Sequence, residues 1–587
     1  MGKIFIGYDA RGKKMFLAPE DRETHMHIIG STGTGKSKLM EWMIRDDIKK
    51  GHGLCLIDPH GSLYKDVVKW CAYHDIRDRE IILINPSGGD HVIGFNPFIR
   101  SADDISVQVD YMITATIRAW DMEGTDETPT LERWLRCIYQ TLIEKSVSLL
   151  ASEFLIDRYE STVREYLTSG ISNRLIASEW RRVDTTRQRQ FDEEIISTKN
   201  RLMRFLCSNQ VCRFMGLSGF NIDLRAAMDE GKVILVNLAE SDQLSHYNAR
   251  LFGALLINEF CRQAKRRRKD KYDDKLKPFY LYIDEFQNFM GLDIASGLDQ
   301  LRKFGLHFIL AHQRLGQVGG RETDIIDAIL HNTKIRAVFG GLRREDAILM
   351  VEEMFVNQLD LKQVKKAIYQ TKFWPKYSRD KIYTRMESHS SGTSMMRGAT
   401  IGTASHNAPP AEGWFDSIME TIEGPKVLSV TESTIDSTSE GSFESDSWSE
   451  GEADIPIFIP VPFKELSSME YWSLEEVKWQ MSDALKGQFS RHCFIQVPGE
   501  RTQPMLVPFV RDYYVDQEDV VSYEQCLYEQ SKALPTSEVD RLIAEERKML
   551  ERRALELTSI GEAAELTPQR MRHREDNQAN RKELVKP

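Results

Sequence analysis

Residues 30–37 read Gly30-Ser31-Thr32-Gly33-Thr34-Gly35-Lys36-Ser37, a complete Gly-x-x-x-x-Gly-Lys-[Ser/Thr] phosphate loop. An apolar run, Met26-His27-Ile28-Ile29, precedes it, and a helix-like run begins near Lys38. That strand–loop–helix context lets the glycines curl the backbone so that its N–H groups point inward as an anion nest. The helix adds the positive end of its dipole. Lys36 is placed to reach β- and γ-phosphates, and the Ser37 hydroxyl to hold Mg²⁺. A chance glycine turn would not carry Lys36-Ser37 in register behind a strand.

A second constellation is Phe279-Tyr-Leu-Tyr-Ile283 followed by Asp284-Glu285. Five apolar residues in a row predict a strand buried on both faces. A carboxylate at the C-terminal end of such a strand can reach a metal, and a second one beside it can polarise an attacking water. The alternative is a solvated acidic pair; the phosphate loop favours the catalytic reading. A third strand, His307–His312, ends in Gln313, a residue type able to sense a γ-phosphate or orient water.

These residues need a sheet to hold them. Strands are predicted at Lys3–Ile6, His25–Ile29, Gly53–Ile57, Glu80–Ile84, Lys232–Leu238, Phe279–Ile283, Leu306–Ala311 and Ile335–Phe339. They alternate with helical stretches, so the fold class is α/β with a mostly parallel sheet. Polar and turn residues leave several strands, as in Asp58-Pro59-His60-Gly61 and Asn85-Pro86. The expected organisation is a P-loop core in 1–98, an inserted all-α domain in 99–215, and a second part of the core in 216–384. A Ser-, Gly- and acid-rich segment follows in 385–454, then a closing helix and strands in 455–515 and a charged helical tail in 516–587. Residues 427–454 contain no Lys or Arg and many Ser, Thr and acids, too little apolar surface to order themselves, so disorder is expected. Ser473 and Glu476 have capping-box spacing. In the tail, Val539, Leu542, Ile543, Met549 and Leu550 form one narrow stripe, a candidate docking face.

With 587 residues, 41% hydrophobic and 28% charged, the chain is an ordinary globular protein of two or three domains. No signal peptide, myristoylation signal or apolar run of spanning length is read, so no integral membrane segment is expected. The eight cysteines include no Cys-x-x-Cys pair, which suits reduced thiols and a cytoplasmic location. The net charge of −11 excludes a uniformly basic nucleic-acid coat but not a positively lined channel. Two basic clusters bear on that. Arg181, Arg182, Arg187, Arg189, Arg201 and Arg204 are read mainly as a solvated helix face balanced by Asp192, Glu193 and Glu194. Lys265-Arg-Arg-Arg-Lys269 fits nucleic acid and a surface loop equally well.

The three strand-tip motifs, with Asp58-Pro-His-Gly61 and Gly94-Phe-Asn-Pro97, resemble the conjugative coupling ATPases of type IV secretion (TraG/TraD type) within the HerA–FtsK group of hexameric DNA pumps. The resemblance implies a RecA-like P-loop NTPase using ATP and Mg²⁺. Lys36 and Ser37 would be the ATP and metal residues, Asp284 the metal-side acid, Glu285 the catalytic base and Gln313 the sensor. It makes Arg336, or Arg343 or Arg344, a candidate arginine finger acting on a neighbouring subunit. The implied function is an ATP-driven DNA translocase, a homo-hexamer working with a relaxase or secretion-channel protein and docked at the inner membrane face through partners. Two alternatives remain: a HerA-like motor paired with a separate nuclease, and an ATP-regulated recruitment platform for a secretion substrate. With the phosphate loop beginning at residue 30, neither the membrane anchor of most coupling proteins nor the small barrel that usually precedes HerA motors is expected.

Overall fold

The computed structural model describes the chain except residues 1, 101–103, 121–127, 158–160, 268–275, 290–291, 314–322, 356–357, 359–363, 385–393, 408–426, 442–450 and 557–587. It divides into two compact units, residues 1–342 with 488–587, and residues 343–487.

The first unit is built on an eleven-stranded sheet. In chain order its strands are β1 (Ile4–Asp9), β2 (Lys14–Leu17), β3 (Met26–Ile29), β4 (Gly53–Asp58), β5 (Ile81–Ile84), β6 (Val233–Asn237), β7 (Phe279–Ile283), β8 (Leu306–His312), β9 (Ile335–Phe339), β10 (His492–Gln496) and β11 (Gln503–Leu506). Their order across the sheet is β2-β1-β11-β10-β9-β3-β8-β7-β4-β6-β5. From β9 to β5 every neighbour is parallel; from β9 to β2 every neighbour is antiparallel. Strands β4, β6, β7 and β8 are buried along their whole length, as their largely apolar sequences require.

Successive side chains alternate between two cores. On β4, Cys55 and Ile57 enter one core and Leu54 and Leu56 the other. Helices Lys36–Lys50, Ser62–Tyr73 and Gln517–Gln530 pack on the Leu54 side. The opposite face is covered by the chain between β5 and β6 and by the helix His246–Lys265. From Ile105 to Glu230 the described residues of that stretch form helices joined by turns. Its core includes Trp134, which lies 5.5 Å from Phe191 and 6.1 Å from Trp180, ring centre to ring centre. Gly94-Phe-Asn-Pro97 clamps its two ends: Phe95 N donates to the Phe214 carbonyl (2.6 Å), Ile222 N to the Gly94 carbonyl (2.8 Å), and Asn96 N to Asn221 Oδ1 (2.6 Å). A Cβ on Gly94 would meet the Phe220 carbonyl oxygen at 2.0 Å, so this close approach needs glycine.

The tail helix, 536–556, docks on the same core. Val539 is buried and Leu542, Ile543 and Leu550 pack against it, while Met549, read as part of that stripe, is exposed. Arg213 holds Asp540 through two bonds of 2.8 and 2.7 Å, and Glu546 accepts from Ser218 N and Oγ. No helix among the described residues is long and apolar enough to cross a membrane.

The second unit pairs Val364–Thr384 with Gly451–Tyr471 and Ser394–Asn407 with Val427–Gly441, both antiparallel. Residues 343–384 and 455–487, assigned to the core by sequence, therefore fall in this unit, and 488–515 stays with the sheet. Where the low apolar content of 385–454 predicts disorder, two strands pair. Their Thr, Val and Ile content is that of strand formers; residues 451–454 open the strand Gly451–Tyr471, and 385–393, 408–426 and 442–450 lie outside the described residues. The predicted capping box is present: Ser473 Oγ accepts from Glu476 N, and the Glu476 carboxylate accepts from Ser473 N, opening the helix Leu474–Lys486.

Candidate nucleotide-binding site

The phosphate loop leaves β3 near the middle of the sheet and runs into the helix Lys36–Lys50. Its first turn is fastened to the exit of β9. Ser31 N donates to the Gly340 carbonyl (3.0 Å), Ser31 Oγ bonds the Gly341 carbonyl, and a Cβ on Gly30 would meet Phe339 Cβ at 2.4 Å. Gly35 has φ +116°, open to glycine and strained for other residues. Thr34 Oγ1 donates to the Ser31 carbonyl (2.7 Å), bracing the loop, and Thr32 and Gly33 lie between them. Lys36 Nζ folds back onto the carbonyls of Gly30 (2.6 Å) and Ser31 (3.1 Å). Burial lowers its pKa, and the nearby Glu285 and Asp284 carboxylates partly offset that.

The acid pair arrives from β7, which is separated from β3 by β8 alone. Ser37 Oγ lies 3.5 Å from Asp284 Oδ2. Asp284 is 4% exposed, and its pKa is raised to about 6, first by burial and then by Glu285 and Asp58, against the weaker pull of Lys36 and His60. A buried carboxylate crowded by like charges beside a serine hydroxyl fits a divalent cation such as Mg²⁺. Glu285, also buried, has φ +45° and ψ +53°. That left-handed conformation costs a non-glycine residue roughly 1–2 kcal/mol. Its carboxylate accepts from Gln287 Nε2 (2.8 Å). Strain of this kind, held in place by the surrounding structure, gathers at functional sites.

Gln313 follows the last residue of β8, between the loop strand and the acid strand, and is half-buried. Beneath it, His312 and His27 meet Nε2 to Nε2 at 2.7 Å. Burial and the neighbouring His312 hold the His27 pKa well below its ordinary value. Phe286 packs on both rings, at 4.8 Å from His312 and 6.3 Å from His27. The residues flanking the loop, the acid pair and Gln313 thus share one aromatic contact.

Arg336 is not brought to this site. It lies near the start of β9, opposite His27 and Gln496, whereas the loop meets the end of that strand. Its guanidinium bonds the Leu330 carbonyl and Gln496 Oε1 (3.1 Å). Asp58, at the head of the Asp-Pro-His-Gly motif, accepts through its side chain from His60 N (2.8 Å) and Tyr64 N (2.9 Å) and so fixes the turn beside Asp284. Ser490 and Arg491 are functional neighbours that the sequence does not flag. Ser490 Oγ donates to the Gly33 carbonyl (3.1 Å) and Arg491 N to the Thr34 carbonyl (2.7 Å). A polar His27 inside an apolar run was a legible signal. Nothing local marks residues 490–491 as neighbours of a loop more than 450 positions away.

The basic clusters resolve into structure. Arg182 and Arg133 share Glu194, and Arg189 pairs with Glu193, the balanced surface expected of that face. Arg267 is buried, bonding Asp229 and the carbonyls of Phe304 and Lys277. Arg268 and Lys269 lie outside the described residues.

Residues 8–259 match the family model of the helicase HerA central domain. The match takes in the phosphate loop and Asp58; Asp284, Glu285 and Gln313 lie beyond it. Among curated proteins the chain is similar to the type 4 coupling protein DotL of Legionella pneumophila, 28% identical over 121 residues, which is 18% of this chain and 15% of DotL. Among solved structures it is similar to the trigonal form of the bacterial conjugative coupling protein TrwBdeltaN70 in complex with sulphate. That pair has a TM-score of 0.47 and 11% identity, covering 89% of this chain and 92% of the other. VirB4 of Thermoanaerobacter pseudethanolicus follows at a TM-score of 0.39 and 15% identity, covering 60% and 88%.

Proposed function

We propose that the protein is an ATP-hydrolysing DNA translocase of the coupling-protein type. The observation that carries the ATPase reading is the meeting of Ser37 and Asp284 at 3.5 Å across two sheet strands, with Glu285 held in a left-handed conformation beside them. The backbone N–H groups of residues 30–37 cradle the phosphates, and Lys36 exchanges its bonds to the loop carbonyls for bonds to β- and γ-oxygens. Ser37 and Asp284 hold Mg²⁺, which neutralises charge on the phosphates. Glu285 orients and polarises the attacking water, and Gln313, at the tip between loop and acid pair, reads the γ-phosphate. DNA as the moving substrate is supported by the match to the HerA central domain and by the similarity to a coupling protein. The same similarity supports a hexameric assembly, a cytoplasmic location and docking at the membrane through partners. Arg343 and Arg344 remain candidates for a finger acting in trans, ahead of Arg336, whose guanidinium is already held within its own chain.

The test is the steady-state ATPase rate per subunit against protein concentration, with and without single- and double-stranded DNA. A rate that rises with both is expected of an assembled, DNA-coupled motor. Indifference to both would overturn the translocase reading.

A further inference from the structure

The phosphate loop is flanked on both sides, and only one flank takes part in the chemistry above. Toward β8 and β7 lie Gln313 and the acid pair. Toward β9, β10 and β11 lie two segments at the same edge, Phe489–Arg491 entering β10 and Val507–Phe509 leaving β11, since His492 pairs with Leu506 and Cys493 with Phe339. The first segment is fixed to the nucleotide loop, and the second to the first, with Val507 N donating to the Arg491 carbonyl (2.8 Å). Ser490 and Arg491 bond the Gly33 and Thr34 carbonyls, and a Cβ on Gly35 would meet Arg491 Cα at 3.1 Å. Beyond Phe509, the Arg511 carbonyl accepts from Arg45 Nη1 (3.1 Å), and Asp512 Oδ1 accepts from Lys38 Nζ (3.2 Å). Phe509 therefore sits beside the first turns of the helix that Lys36 opens.

Phe509 is 69% exposed. An apolar ring displayed on a segment this firmly tied is unlike a fraying loop residue. The Arg491 guanidinium lies 5.3 Å from the ring centre and is itself locked, donating from Nε and Nη2 to the Val507 carbonyl (3.2 and 2.8 Å). Arg491 has φ +69°, a conformation that aims this side chain at the cost of local strain. The result is a rigid ring backed by a fixed cation.

We propose that Phe509, backed by Arg491, is the seat of the nucleotide base. The inference rests on the nucleotide reading above. Ser37 and the acid pair draw the γ-phosphate end toward β7, so the α-phosphate, ribose and base leave the loop on the other flank. There a flat base stacks on the Phe509 ring. Stacking needs only a π-face, so this seat accepts nucleobases without strong discrimination between them.

The test titrates the full chain calorimetrically with Mg-ATP and, separately, with Mg-tripolyphosphate, which has the phosphates and no base. Wild type, Phe509→Ala and Phe509→Tyr are compared; the exposure of the ring lets all three fold. Phe509→Ala is expected to weaken Mg-ATP binding about tenfold and to leave Mg-tripolyphosphate binding unchanged, with Phe509→Tyr close to wild type. Unaltered ATP affinity in Phe509→Ala, or an equal loss for both ligands, would overturn the base seat while leaving the nucleotide reading standing. A wild-type chain that binds neither ligand overturns both.

Discussion

The two edges of the parallel sheet bury charge in opposite ways. At the edge where the strands begin, Arg22 and Asp47 meet through two bonds of 2.7 Å. His52 Nδ1 bonds the same carboxylate at 2.8 Å, and the Tyr282 hydroxyl donates to it. The Arg22 guanidinium also lies 3.5 Å from the centre of the Tyr280 ring. At the edge where the strands end, Asp284 is equally buried but is ringed by Glu285 and Asp58. The electrostatic outcome follows the partners. Burial alone would raise both carboxylates, yet Arg22 and His52 bring Asp47 down to about 2, whereas like charges help push Asp284 up to about 6. The first carboxylate is complete as folded; the second is the one that, in the proposed function, Mg²⁺ would complete. The single β7 carries both lessons, with Tyr282 pointing into the paired network and Asp284 at its tip.

That contrast can be broken most forcibly at the phosphate loop. Lys36→Ala is expected to abolish Mg-ATP binding in a calorimetric titration while leaving the unfolding temperature close to wild type. Next comes Arg22→Ala, with the opposite profile. It strands the buried Asp47, and chemical denaturation should show a loss of about 3–5 kcal/mol. A loss below about 1 kcal/mol would mean the two edges are not so different. Asp284→Asn should stabilise the free protein. Because the folded pKa of Asp284 is raised, the penalty of ionising it is absent below about pH 4, grows between pH 4 and 6 and is complete above 6. The substitution should therefore gain on the order of 3 kcal/mol at pH 7.5 and almost nothing at pH 4, read from paired unfolding curves. The smallest effect belongs to the exposed rim. Asp540→Ala releases Arg213 from a pair whose carboxylate is half in solvent, and should cost under about 1 kcal/mol.

How much of this the sequence shows depends on how local each feature is. The phosphate loop, the Asp284-Glu285 strand tip and Gln313 are each written in a few consecutive residues, because strand burial and loop curvature impose apolar runs and glycines. The parallel strands could be placed within one or two residues for the same reason. The docking of the tail helix was legible as its apolar stripe, though the stripe could not say that Met549 faces outward. What was not legible is long-range. The clamp of Gly94-Phe-Asn-Pro97 on Phe214 and Asn221, the support of the loop by Ser490 and Arg491, and the division at residues 343–487 all depend on chain segments far apart in sequence. Arg336, a candidate to act on a neighbouring subunit, bonds Leu330 and Gln496 of its own chain, partners that the sequence does not mark.

The most direct test of the account is ATP turnover by Glu285→Gln under saturating Mg-ATP and DNA, with nucleotide binding measured on the same preparation. The account predicts binding close to wild type and turnover reduced at least a hundredfold, because the amide keeps the shape of the strained tip and loses the base. Turnover at the wild-type rate would contradict it and remove the acid pair from the chemistry.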